Sequence, residues 1–203
     1  RGTYIFNSKD LCMIEHIPEL IDSGIDSFKI EGRMKTALYV ATVARTYRKA
    51  IDDYLESPEL YRKNMDWYLD QISNCTYRQF TTGFFFGKPD ESAQIYDNNT
   101  YVKEYTYLGI IGECTADGLY RIEQRNKFSV GEQIEIMKPD GRNIPVVVRR
   151  IVDEEGQEMQ SAPHPKQVLY IELAAAENGA LSGAEVSEQD NHAAELYDIL
   201  RRK

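Results

Sequence analysis

The chain has 203 residues, of which 42% are hydrophobic and 28% charged, so a folded, soluble protein is the default reading. Its net charge is −9, and residues 104–203 carry 11 basic against 18 acidic side chains, which disfavours non-specific binding of nucleic acid or membrane by that half. No apolar run approaches the ~18–20 residues of a membrane span, and three scattered cysteines make neither a disulfide framework nor a CxxC metal site, so a reducing, cytoplasmic setting is expected.

The first residue is Arg1 and strand-like residues follow at once, Thr3 to Phe6, so the chain is expected to be an excised piece of a longer protein. Asn7-Ser8-Lys9-Asp10 offers helix-capping side chains, and Leu11 to Ser23 has a helical pattern. Pro18 predicts a break near His16 and a new short helix, which Gly24 ends in a left-handed cap. A second strand is expected at Ser27 to Ile30, then the loop Glu31-Gly32-Arg33, then a long helix from Lys35 to about Leu55. Val40, Val43, Tyr47, Ile51 and Tyr54 would form its buried stripe. Two strand–loop–helix units in series imply parallel pairing, as in the last turns of a larger α/β barrel.

Residues 60–75 read as a further helical stretch, and Phe80 to Gly87 as a core strand or a loop packed into a cleft. Short strands then follow near 105–114, 118–123, 132–137, 143–152 and 167–173, separated by turn signals such as Asp117-Gly118 and Pro139-Asp140-Gly141. A final hairpin is expected around Gly179, Gly183 and Val186. This pattern favours a small closed antiparallel β-barrel. Asn191 to Lys203 reads as a terminal helix, with Ala193, Leu196 and Leu200 on one side. The expected division is therefore 1–89 as the end of an α/β barrel plus a helical segment, 90–103 as linker, 104–190 as β-barrel and 191–203 as helix.

Catalytic groups of parallel α/β barrels sit at the C-terminal ends of the strands. Asp10 and the segment Lys29, Glu31, Arg33 are the candidates at that face. Glu31 could serve as a base or metal ligand, Arg33 could hold a carboxylate or phosphate, and Gly32 would admit a ligand close to the backbone. The alternative is structural: Asp10 as a helix cap, Glu31 and Arg33 as an ion pair at the rim. No GxSxG or HExxH pattern occurs, and His16, His164 and His192 are widely separated, so the 203 residues do not encode a complete hydrolytic site.

Asn7-Ser8-Lys9-Asp10-Leu11-Cys12, Ile17-Pro18-Glu19-Leu20 and Ser27-Phe28-Lys29-Ile30-Glu31-Gly32-Arg33-Met34-Lys35 resemble the end of the barrel in the collagenase-like peptidase U32 family. Phe80 to Phe84 continues the likeness, and Gln124 to Gly131 resembles that family's appended C-terminal barrel. The resemblance implies a full-length protein with an N-terminal TIM-like barrel and a C-terminal β-barrel, of which this piece alone would be inactive. It implies one of two activities, collagenase-like proteolysis or RNA hydroxylation. Members with this C-terminal extension resemble the factor for prephenate-dependent 5-hydroxyuridine formation at the tRNA wobble position. Cys12 is similar in placement to the last of four cysteines that hold an iron–sulfur cluster in some relatives. The other three would precede residue 1, so no cofactor is expected in this piece alone, and Cys12 would be an orphan ligand. On this reading tRNA is the expected partner, with a protein substrate or partner as the alternative. Arg121, Arg125, Lys127, Arg142, Arg149 and Arg150 are the candidate RNA contacts on the β-barrel.

Overall fold

The computed structural model describes residues 7–75, 78–96, 105–176 and 194–203, which fall into two compact units, 1–104 and 105–203. The expected strand at 3–6 and the hairpin around 179–186 lie outside the described residues.

The first unit is mainly helical. Strand β1 (Asp10–Leu11) is followed by a single 3-10 turn, Ile14–His16, and then by helix α1 (Ile17–Asp22). The break falls where Pro18 requires it, because a proline is tolerated only in a helix's first turn. Gly24 stands at φ +76°, the left-handed conformation that ends the helix without steric cost. Helix α2 (Ala37–Glu56) begins at Thr36, whose hydroxyl accepts from the Tyr39 N–H, and continues through a Ser57 cap into α3 (Pro58–Lys63) and then α4 (Met65–Ser73). Strand β2 (Phe80–Thr81) returns to pair in parallel with β1.

Ile14, Ile17, Ala50, Tyr61, Tyr68 and Ile72 form the core of this unit. Within it Asp53 collects a hydrogen bond each from Lys49, Asn64 and Tyr68, fastening α2 to the α3–α4 corner. Burial works against ionisation of Asp53, yet those three donors prevail and hold its carboxyl below the ordinary value.

Two expectations are corrected here. Residues 27–30 form no strand: β1 pairs with β2, no described strand lies beside 25–31, and that segment runs irregularly with most side chains exposed. Val40 is not part of the buried stripe of α2, being 43% exposed, whereas Leu38, Thr42, Val43, Thr46 and Ala50 are buried.

The second unit is a closed β-barrel. Strands β3 (Thr106–Cys114), β4 (Tyr120–Gln124), β6 (Gln133–Met137), β7 (Asn143–Val152), β10 (Val168–Ala175) and β11 (Ile199–Arg202) pair antiparallel in the order β10-β4-β3-β11-β6-β7. A further pairing of β10 with β7 completes the circle. Short β8 (Glu158–Met159) extends β7, and β5 (Phe128–Ser129) pairs with β9 (Ser161–Ala162) across one end. Inward positions alternate as the pleat requires: Ile144, Val146 and Val148 on β7, Ile134 and Ile136 on β6, Leu169 and Ile171 on β10. Gly109 lets β3 and β4 approach, since a Cβ there would lie 2.7 Å from Ile122 and 2.8 Å from the Glu123 carbonyl oxygen.

The expected terminal helix is a strand at its end. Residues 199–202 fill the gap between β3 and β6, and the gain of two hydrogen-bonded ladders outweighs any local helical preference. Arg201, 1% exposed, is carried into the wall, where Glu135 pairs with it and the Tyr105 ring lies 4.0 Å from its guanidinium carbon. Just before β11, Lys138 and Asp198 form an equally buried ion pair of 2.8 Å.

Candidate functional site

The helical unit contains a cavity of about 510 Å³, within the ~300–1,000 Å³ range of small-molecule sites. One wall is α2, whose Tyr39, Val43 and Tyr47 recur every fourth residue and therefore share a face. The opposite side comes from β1 and the residues after it, and the rim from segment 25–31. Leu20, Phe28, Ile72 and Phe80 add apolar surface, and Asp10, Cys12, Lys29, Glu31 and Lys35 supply the polar groups.

Four of the sequence candidates thus line one cavity: Asp10, Cys12, Lys29 and Glu31. Arg33 does not line it. Its backbone N–H donates to Glu31 Oε1 at 3.1 Å, so the rim contact is a tight turn and not the guanidinium–carboxylate pair considered from the sequence. Nor does Asp10 cap a helix. Its Oδ2 accepts from the Arg78 N–H at 3.0 Å and lies 3.8 Å from Lys35 Nζ, which itself sits 5.0 Å from the centre of the Tyr39 ring.

Lys35, Tyr39 and Tyr47 were not singled out as site residues from sequence. Lys35 looked like the first residue of a helix and the tyrosines like packing, and only the return of β1 beside α2 brings them together. The Tyr47 hydroxyl accepts from the Met13 N–H at 2.8 Å and lies 3.7 Å from Cys12 Sγ. Burial pushes the Cys12 thiol up, and pushes Tyr47 up strongly, with Cys12 adding to the effect. Tyr39 is pushed up to about 12, by burial first and by Asp10 second. Near neutral pH the cavity therefore presents a protonated thiol and two phenols beside the Asp10–Lys35 pair. Such groups bind and orient a polar ligand through hydrogen bonds, and Cys12 in this state is a poor nucleophile.

Cys12 by itself does not constitute a cluster site. Among the described residues no group of three His, Cys, Asp or Glu side chains could hold a metal ion, and Cys114 lies on the barrel. Of the three thiols only Cys12 lines the cavity; Cys75 is buried in the same unit with its Sγ donating to the Ile72 carbonyl at 2.9 Å.

On the barrel, Arg121 and Lys127 are exposed, Arg125 is half-buried and pairs with Glu123 at 2.6 Å, and Arg149 is exposed near the end of β7. Arg142 pairs with Asp140, and Arg150 with Glu158. Arg142 stands at the start of β7 and Arg149 and Arg150 near its end, so the six cations do not form one cluster. No helix among the described residues is long and apolar enough to cross a membrane.

The architecture, a helical unit followed by a six-stranded antiparallel barrel, has a counterpart in two family descriptions. Residues 1–95 match peptidase family U32, and residues 103–182 match the peptidase family U32 C-terminal domain. The chain belongs to the peptidase U32 family. It is 37% identical over 171 residues to "tRNA hydroxylation protein P1" of Bacillus subtilis (strain 168), covering 84% of this chain and 40% of that protein. It is 36% identical over 177 residues to "tRNA hydroxylation protein P" of Escherichia coli (strain K12), covering 84% and 37%. A protein of Porphyromonas gingivalis named "Collagenase" is 30% identical over 139 residues, covering 67% and 38%. The chain spans about two fifths of the length of these relatives.

Proposed function

We propose that this chain is the C-terminal portion of a tRNA-hydroxylating factor, and that the whole protein acts in prephenate-dependent formation of 5-hydroxyuridine at the wobble position. The observation that carries this reading is the extent of the match: likeness to proteins named for tRNA hydroxylation runs over 84% of the chain. The cavity fits the same reading. Lys29 and Lys35 line it and would attract a small anion, and Tyr39 and Tyr47 are hydrogen-bonding groups that stay protonated across the working pH range. Of the two cations considered for anion binding, Arg33 and Lys29, we assign Lys29, which lines the cavity. In the whole protein Cys12 would complete an iron–sulfur site with thiolates from outside this chain. A cytoplasmic location accompanies a tRNA substrate.

The test is nucleoside mass spectrometry of tRNA from cells lacking the gene and any paralogue. Loss of wobble 5-hydroxyuridine, restored by the wild-type gene and only weakly by Lys29→Ala, is expected. Unchanged 5-hydroxyuridine rejects the reading. The match to a collagenase favours a second reading, proteolysis by the whole protein. It requires purified full-length protein, free of RNA, to cleave denatured collagen.

A further inference from the structure

One corner of the barrel gathers cations, although residues 104–203 carry 11 basic against 18 acidic side chains. The loop after β4 and the turn before β10 are tied together there: the Gln124 N–H donates to the Gln167 carbonyl at 3.0 Å and the Lys166 N–H to the Gln124 carbonyl at 2.8 Å. This second bond holds Lys166 at φ +68°, a conformation that a side chain other than glycine's rarely adopts, and leaves the lysine exposed. Lys127 stands on the neighbouring loop. Along the outer face of β4, Arg121 lies directly opposite Tyr170 of β10, and Arg125 follows roughly 13 Å further on, at ~3.3 Å per residue. Arg121, Lys127 and Lys166 make no ion pair among the described residues, whereas Arg125 beside them pairs with Glu123, and Arg142, Arg150, Arg201, Arg202 and Lys138 are likewise paired.

The same corner is short of hydrogen-bond partners. Gln124 Oε1, Gln167 Oε1 and Arg125 Nε are buried and have none, although buried polar atoms are as a rule satisfied. Gln124 is itself fully buried, its amide nitrogen donating to the Asn126 carbonyl at 3.1 Å and to that of Ala162. Exposed cations without ion-pair partners, with one aromatic ring alongside, are matched to a chain that carries phosphates and flat bases.

We propose that this corner, Arg121, Lys127, Lys166 and Tyr170, binds the ribose–phosphate backbone of a single-stranded stretch of RNA. The cations take phosphates, and Tyr170 offers a stacking surface. The inference rests on the tRNA reading above and adds where on this chain the RNA is held.

The experiment measures binding of an unmodified tRNA transcript, a single-stranded oligoribonucleotide and the DNA oligomer of the same sequence by fluorescence anisotropy, across a range of salt, using the full-length protein. The triple variant Arg121→Gln, Lys127→Gln, Lys166→Gln should weaken RNA binding about tenfold or more and flatten the salt slope by about 2, near 0.7 per lost phosphate contact. Arg142→Gln with Arg150→Gln removes two cations held by acidic partners and should change binding little. The DNA oligomer, which carries the same phosphates and stacking faces, should lose binding in the triple variant by a similar factor. Circular dichroism melts confirm that each variant is folded. Equal losses in the triple and the control variant, or wild-type binding by the triple variant, overturn the proposal. The hydroxylation assay is separate: a strain lacking the gene that loses 5-hydroxyuridine, together with a triple variant that binds tRNA normally, refutes this site and leaves the tRNA reading standing.

Discussion

Removing the Lys138 ammonium while keeping its bulk, as in Lys138→Met, tests how the barrel is sealed. Lys138 follows β6 and is 3% exposed; its Nζ lies 2.8 Å from Asp198 Oδ2, and the Asp198 side chain is 2% exposed. Asp198 also accepts the Glu195 N–H at 2.8 Å, while its own backbone oxygen receives the Ile111 N–H at 2.9 Å. The contact to Glu195 is solvent-facing on the carboxylate side and adds little. Breaking a buried pair strands the remaining charge, at a cost of about 3–5 kcal/mol. For a domain of this size, 3 kcal/mol corresponds to a fall in melting temperature of roughly 12–24 °C. The melt must be followed by far-ultraviolet circular dichroism, because the single tryptophan, Trp67, packs in the core of the helical unit. Unchanged Trp67 emission through the barrel transition serves as an internal control. The double variant Lys138→Met, Asp198→Asn should recover most of the loss, since neither charge then remains. Burial opposes the Lys138 charge, but its two carboxylate partners raise its pKa above the ordinary 10.5. Its stabilisation is therefore complete below that value and is lost only as pH climbs through the raised one. A loss under about 0.5 kcal/mol at pH 7 for the single variant would refute this account of the pair.

Three other outcomes follow from the fold. Asp53→Ala removes the acceptor shared by Lys49, Asn64 and Tyr68 and should cost the helical unit about 2–3 kcal/mol, read by urea titration of Trp67 emission. Because the Asp53 carboxyl is held below the ordinary 3.8, its contribution is full above that pH and declines as pH falls through the lowered value, so the wild type should lose stability in acid faster than the variant. Gly109→Ala drives a Cβ to within 2.8 Å of the Glu123 backbone oxygen, which cannot rotate away, and should cost about 1–3 kcal/mol in a thermal melt of the barrel. Iodoacetamide at pH 8 should label the exposed Cys114 well before Cys12, whose thiol is raised by burial, as read by peptide mass spectrometry; equal rates would contradict the packing around Tyr47.

Much of this was legible because the relevant signals are local. Helical spacing from Lys35 to about Leu55 marks α2, Pro18 places the break before α1, and alternation with Gly-containing turns marks the strand Asn143–Val152. What escaped depends on partners distant in sequence. Residues 27–30 have a strand's composition, but a strand exists only beside another, and β1 takes β2 from seventy residues away. Residues 199–202 read as a helix end because Arg201 and Arg202 look like surface charges. The structure buries Arg201 against Glu135, sixty-six positions earlier, a pairing with no local signature. The cavity was half visible: Asp10, Lys29 and Glu31 stood out by their chemistry, while Tyr47 was hidden within a stripe that also reads as ordinary packing and Tyr39 lay outside the expected stripe.

The position of β11 between β3 and β6 also fixes an order of events during synthesis. Those two strands are made some sixty to ninety residues before the piece that joins them, so each must leave the ribosome with an unpaired edge. The barrel cannot close until Ile199–Arg202 has emerged, which makes closure a late step built on non-local contacts and slow for a domain of this length. Any chain cut short of Ile199 keeps both edges open. Such truncations should accumulate as aggregates, while the helical unit, whose core is assembled from residues 14–72, has no need of that last strand.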